Sequence, residues 1–368
     1  MNADQRRIPG AWIAVGDREG AARRTPRPLL ASLMLALAIA GPAAAQGTVD
    51  RIQRRNGVDS GTISAVTPLG VTISKSGVES TVPVEEIRSV RYAGEPNELN
   101  SARIAAAAGR YRDAYDQSLQ LAKSGITRPE IMADVQFLAA SSQAALALAG
   151  QEDLDKALTA VRGFLAQQRS SYHLPEAIEL YGDLLLRSGQ YEGARGEYAK
   201  LAKAKSDYFE LRSALLLGRA WQAEGKQTEA LAEFDKVLAA RGGGALIEPL
   251  KLAATLDKAV SQAAAGDTQQ ATVAIGKIIA AADAEDEELL ARAYNALGDA
   301  YQKSGDVQGA VFSYLHVDLL LNNVGDAHAK ALSQLAKLWK SAGHEDRGRD
   351  AAERLLAKYP ESRWAGDR

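Results

Sequence analysis

Four histidines, His173, His316, His328 and His344, are the side chains best suited to move a proton or hold a metal near neutral pH. No two of them stand three or four residues apart, and no His-Glu-x-x-His occurs, so no helix face presents a paired ligand set. They read as solvated or partly packed rings on or beside helices. The chain has no cysteine, which excludes a thiolate metal site, a cysteine nucleophile, a disulfide framework and a lipid-anchoring thiol. Asp283, Glu285, Asp286, Glu287 and Glu288 cluster, but without the glycine and alternate spacing of a calcium loop. Their place just before Leu289 suits the positive start of a helix, with weak cation binding as the alternative. Neither a phosphate-binding glycine loop nor a G-x-S-x-G nucleophile motif is present. The expectation is therefore binding rather than catalysis: no enzyme activity, no cofactor and no metal.

The elements that must position any binding side chain are marked by glycines. Gly109, Gly150, Gly189, Gly225, Gly266, Gly305 and Gly343 recur at gaps of 41, 39, 36, 41, 39 and 38 residues. Around two of them the neighbours recur as well: Leu217-Gly218, Trp221, Gly225 and Ala230 match Leu297-Gly298, Tyr301, Gly305 and Ala310 at identical offsets. A period this long means one helical hairpin repeated about seven times, which places residues 97–360 in an α-solenoid. Hydrophobic residues make up 46% of the chain but aromatics only 6%, so alanine and leucine fill the apolar quota, as closely packed helices require. The net charge of −2 gives no general attraction to nucleic acid.

Residues before 97 read differently. Arg23, Arg24 and Arg27 precede an apolar run, Leu29 to Ala40, and Ala43-Ala44-Ala45 follows Gly41-Pro42. That order predicts a secretory signal over 1–45, cleaved before Gln46, and a periplasmic or secreted protein. The run is shorter than the roughly 20 residues of a spanning helix, and no other segment is expected to span. Over 46–96 come short runs rich in Val, Ile and Thr: 61–66, 70–74 and 80–84, with Ile87, Val90 and Tyr92 continuing into a last strand. Turn residues Pro68-Leu69-Gly70 and Ser76-Gly77 separate them. Four or five strands curled into a small SH3-like or Sm-like unit are expected, leaning on the first helices. The fold class is mainly α, and residues 361–368 form a tail.

The repeats themselves resemble the tetratricopeptide pattern W-x2-L-G-x2-Y, then A-x3-F, then P. Tyr294-x2-Leu297-Gly298-x2-Tyr301 is followed by Ala310-x3-Tyr314, and Ala214-x2-Leu217-Gly218-x2-Trp221 by Ala230-x3-Phe234. Ile178-x2-Tyr181-Gly182-x2-Leu185 is followed by Ala194-x3-Tyr198, and the last unit ends on Pro360. The unit at Gly266 is degenerate, with Ala259 at the small position and Ala271-x3-Ile275 intact.

The resemblance implies that the first helix of each unit lines a concave groove. Its inward positions give the candidate partner-binding residues Arg212, Arg219, Leu256, Val260, Arg292, Asn295, Lys303, Lys330, Lys337 and Lys340. Such a wall drifts from acidic to basic with an apolar patch between, and suits an acidic or carboxylate-bearing protein segment. The Lys-and-Asn arrangement by which chaperone-binding relatives clamp a C-terminal carboxylate is not reproduced. The implied role is a non-catalytic scaffold or adaptor for a protein or peptide in the cell envelope. The alternative is a glycan- or peptidoglycan-associated binder, for which Tyr172, Tyr208 and Trp364 would have to be exposed.

Overall fold

The computed structural model describes residues 49–204, 206–360 and 362–366. The expected signal segment lies outside them. The described residues all fall in one compact unit.

Among the described residues five strands come first: β1 (Asp50–Arg54), β2 (Gly57–Thr67), β3 (Gly70–Lys75), β4 (Val78–Pro83) and β5 (Ile87–Arg91). All pairs are antiparallel and the order is β4-β3-β2-β1-β5, a meander whose last strand returns beside the first, as a small SH3-like or Sm-like sheet requires. The long β2 pairs with β1 through its first half and β3 through its second, and the register shifts between Ile63 and Ala65 where it bends. Ser76 and Gly77, both at positive φ, close the β3–β4 hairpin, the geometry that matches strand twist. Strand β1 was not among the expected runs, because in Asp-Arg-Ile-Gln-Arg only Ile52 is apolar; that one residue is fully buried.

Fourteen helices then alternate as seven hairpins: α1 (Asn97–Ala107) with α2 (Tyr111–Leu121), α3 (Pro129–Leu148) with α4 (Leu154–Gln167), α5 (Leu174–Arg187) with α6 (Tyr191–Leu201), and α7 (Asp207–Ala223) with α8 (Gln227–Ala239). The series continues with α9 (Ile247–Ala265) and α10 (Thr268–Ala281), α11 (Glu287–Ser304) and α12 (Val307–Leu320), and α13 (Gly325–Ser341) and α14 (Glu345–Lys358). All seven expected turn glycines adopt φ between 73° and 108°, which ends the first helix of each hairpin at no steric cost.

Within a hairpin the helices touch at the predicted small residue. A Cβ on Gly182, Gly218 or Gly298 would stand 2.3, 2.4 or 2.6 Å from the ring of Tyr198, Phe234 or Tyr314. The aromatic sixteen residues on thus fills the space that glycine leaves, and each ring is buried. The acidic cluster starts α11 as expected: the Asp286 carboxylate accepts the Leu289 N–H as an N-cap.

The sheet and the first helices share one core. Ile52, Val71, Ile73, Val82, Val90 and Tyr92 pack with Leu99 and Ala102 of α1, Leu121 of α2, and Ile131, Val135 and Leu138 of α3. The joint is locked by Asp50, 2% exposed, which accepts the Ile63 and Ala93 N–H groups at 2.7 Å each and the Arg128 guanidinium at 2.7 and 3.1 Å. Burial alone would raise its pKa, but Arg128 and the two amides hold it below the ordinary carboxylate value. Contrary to the expectation that no other segment could span, α3 is also long and apolar enough by length and composition. It is a core helix, with 67% of its most apolar stretch buried in the protein.

Candidate binding groove

The odd-numbered helices stand side by side, and their facing side chains are joined by a ladder of polar contacts from one repeat to the next. Arg212 on α7 forks onto Glu179 on α5, with Nε at 3.1 Å from Oε1 and Nη2 at 2.6 Å from Oε2. Asp257 on α9, 6% exposed, is held from both sides: Arg219 Nε of α7 lies 2.6 Å from one oxygen and Arg292 Nη2 of α11 lies 2.9 Å from the other. Gln222 reaches the Asp257 carbonyl and the Ser261 hydroxyl, both at 2.9 Å. Asn295 on α11 donates to the Ala327 carbonyl of α13 at 2.9 Å, and Lys330 on α13 pairs with Asp299 of α11 at 2.5 Å. The Tyr314 hydroxyl donates to the second Asp299 oxygen at 2.6 Å, so the ring that fills the Gly298 gap also orients the carboxylate that meets the next repeat.

Between α7, α9, α11 and α13 this face opens into a cavity of about 410 Å³. Leu256, Val260, Ala296 and Val324 supply apolar lining, and charged side chains of both signs stand around it. The sequence-derived candidates distribute unevenly. Leu256, Val260, Arg292, Asn295 and Lys330 all line the cavity. Leu256 is floor, only 1% exposed, and Asn295 is 4% exposed, its Oδ1 without a hydrogen-bond partner among the described residues. Arg219 borders the cavity through Asp257, while Arg212 lies farther along the ladder on Glu179. Lys303 is exposed in the last turn of α11, outside the lining, and Lys337 and Lys340 line a different cavity, between α13 and α14.

The expected basic wall is balanced. Its cations Arg292, Lys330 and Arg363 face Asp257, Glu288, Asp299 and Asp326. Sequence reading took the cations singly and missed the carboxylates that meet them. The signal was present: partners lie 31 to 38 residues apart, about one repeat, at Lys330–Asp299, Arg212–Glu179, Arg292–Asp257 and Arg219–Asp257.

Two histidines are more embedded than solvated rings would be. His173 Nε2 lies 3.2 Å from Asp134, which is 3% exposed and also meets Arg103 at 2.6 Å. Burial works against a charged ring there, but Asp134 and then Glu176 outweigh it and hold the His173 pKa up at about 9. His328 bridges the Tyr359 hydroxyl at 2.8 Å and Asp318 at 2.9 Å, and Arg354 forks onto the same Asp318. These rings tie elements together. Among the described residues no group of three or more His, Asp or Glu is arranged to hold a metal ion. Of the aromatics considered for sugar stacking, Tyr172 is buried, Tyr208 is half-buried in the core between α5 and α7, and Trp364 donates its indole N–H to Asp326 under the Arg363 guanidinium.

No family model matches the chain, and no curated protein does. Solved structures do. A tetratricopeptide repeat protein from Parabacteroides merdae ATCC 43184 superposes with a TM-score of 0.50 at 14% identity, over 71% of this chain and 92% of that one. A Rap protein complexed with competence and sporulation factor superposes with a TM-score of 0.52 at 15% identity, over 74% of this chain and 76% of that one. At such identities the likeness is one of fold. With the hairpin geometry and the Gly–aromatic contacts, it establishes the tetratricopeptide-type repeat solenoid.

Proposed function

We propose that this protein is an exported, non-catalytic scaffold that holds a protein or peptide partner in the cell envelope through the groove of its odd-numbered helices. The carrying observation is the groove itself: a cavity of about 410 Å³ with an apolar floor and ion-paired walls, built jointly by consecutive repeats. Walls whose charges are already paired hold their shape before a ligand arrives, which reduces the ordering cost of binding. The balanced signs favour a segment with apolar anchors and mixed charge over a purely acidic one. The Rap structure, similar in fold, is of a complex with competence and sporulation factor, and a partner-holding role here is consistent with that. Export rests on the arginine-led apolar run before Gln46.

A photo-crosslinking residue at Val260, in the groove, should yield a protein adduct in the native cell, while one at the exposed Val273 should not. Adducts at Val273 alone would remove the groove from the function. Intact-mass analysis of the protein from the envelope fraction should find Gln46 at the N-terminus; a full-length chain confined to the cytoplasm would reject export.

A further inference from the structure

A cavity of about 430 Å³ lies inside the last hairpin, between α13 and α14. The repeat step accounts for it. The turn glycines Gly305 and Gly343 stand 38 residues apart, so Ala336 takes the place of Gly298, Gly348 that of Ala310, and Ala352 that of Tyr314. In three other hairpins the last of these places holds a buried ring, Tyr198, Phe234 or Tyr314. In the α9–α10 hairpin the fully buried Ile275 fills it. In the last hairpin alanine faces alanine, and Ala336 and Ala352 both line the cavity. The helices cannot close the gap, because their backbones already touch one turn away. A Cβ on Gly348 would stand 3.0 Å from the Ala336 carbonyl oxygen and 3.2 Å from the Lys340 nitrogen. Trp364, in the 3-10 turn Arg363–Ala365, lines the cavity without filling it, its indole N–H donated to Asp326 at 3.0 Å.

We propose that this cavity binds a small planar aromatic carboxylate, its rings in the space of the missing side chain. This goes beyond the groove reading and does not depend on it. An apolar cavity of roughly 150 Å³ accepts one benzene ring, so the larger space here accepts two fused rings with substituents. Ala336, Ala352, Leu355 and Leu356 give the rings apolar contact. Polar groups set the rest of the ligand. In the α11–α12 hairpin the Tyr314 hydroxyl reaches Asp299 at 2.6 Å and Gln302 at 3.5 Å. One repeat on, the Gln302 position is Lys340, which lines the cavity together with Arg349. Both cations are exposed, and neither makes an ion pair among the described residues. Lys337, at the Asp299 position, has a contact of its own and is not counted with them. Two cations against the one lining carboxylate of Glu345 select an anion. Ser333 is 2% exposed and also lines the cavity, and its hydroxyl has no hydrogen-bond partner among the described residues. A buried hydroxyl left unpaired is costly, and a polar substituent on the rings would satisfy it. An aromatic side chain of a partner protein fits less well, since it arrives on an uncharged main chain.

The test uses the full chain and calorimetric titration with 6-hydroxy-2-naphthoate. One molecule per chain should bind, roughly tenfold more tightly than 6-(aminomethyl)-2-naphthol, which has the same rings and the opposite charge. The difference should shrink as salt rises. Ser333→Ala should weaken binding about three- to tenfold. Ala336→Gly with Ala352→Phe restores the pair seen at Gly218 and Phe234, and should abolish binding without lowering the thermal unfolding temperature. Lys340→Glu with Arg349→Glu, both at exposed positions, should reverse the preference while far-ultraviolet circular dichroism stays unchanged. Equal binding of the two compounds, binding that survives the refilled hairpin, or binding unmoved by Ser333→Ala or by the charge reversal would each overturn the proposal. So would no binding of either compound, which would leave the space to a side chain of a partner protein. If the refilled variant fails to fold, the charge reversal decides alone.

Discussion

At its N-terminal end the solenoid is covered by a sheet that shares a core with α1, α2 and α3, whereas at its C-terminal end, among the described residues, a 3-10 turn is what lies against α13 and α14. Among the described residues no further hairpin packs on the first or the last one, and a lone hairpin cannot bury its apolar face. The N-terminal end uses an element of another class: buried Asp50 on Arg128 ties the sheet to the helices, and Asp134 on Arg103 and His173 ties α1, α3 and the start of α5 to one another. Paired ions in a dry joint tolerate little displacement, because each one left without its partner is costly. The C-terminal end differs: Ala352 stands where α12 has Tyr314 and Arg349 where it has Val311, and a cavity lies between α13 and α14. One end is held by buried ion pairs, and the other has a cavity within its last hairpin.

The largest effect should come from breaking the N-terminal end. Asp134→Ala leaves Arg103 and His173 without their shared carboxylate, and chemical denaturation should report a loss of about 3–5 kcal/mol. A loss below about 1 kcal/mol would mean that the joint does not depend on these ions. The same network gives a pH signature. The folded His173 value of about 9 lies above the 6.5 of a free imidazole, so its stabilisation is fully present below pH 6.5 and is lost as pH rises through 9. Stability should fall by up to roughly 3 kcal/mol across that window. His173→Gln should flatten the profile there, and an unchanged slope would assign it to other groups.

Between the two ends, Gly298→Leu tests the repeat interior. Its Cβ would meet the Tyr314 ring at 2.6 Å, and overpacking should cost about 1–3 kcal/mol in thermal unfolding. The smallest effect belongs to the C-terminal end. Leu356→Ser should change stability by no more than about 0.5 kcal/mol, since Leu356 is 37% exposed among the described residues. A cost comparable to that of Asp134→Ala would show that both ends are closed, and the comparison would fail.

Much of this architecture could be read from residue spacing because the repeats state it locally. A turn glycine needs only its own φ, and Gly298 with Tyr314 needs only one hairpin, so both were visible in the sequence. The Ser76-Gly77 turn was legible for the same reason, while β1 was hidden by having a single apolar residue to announce it. The ladder was not legible, because whether Arg292 meets Asp257 or solvent depends on how one repeat rotates onto the next. Treating each cation by itself made the groove look basic, and placed Lys337 and Lys340 on it rather than at the cavity within the last hairpin. His173 looked peripheral because its partner, Asp134, lies a whole repeat earlier in the chain.

The double grip on Asp257 bears on how the chain behaves as a folding unit. The α9–α10 hairpin has Ala259 and Ile275 where its better-formed neighbours have glycine and an aromatic ring, so by itself it is the weak segment of the array. In a linear array, a weak segment with poor coupling divides the molecule into two blocks that melt separately. Arg219 and Arg292 attach this hairpin to the one before and the one after through a single carboxylate. Cooperativity is thereby carried across the point where the intrinsic stability is lowest, and backbone amide exchange in α9 should rise and fall in step with that of α7 and α11.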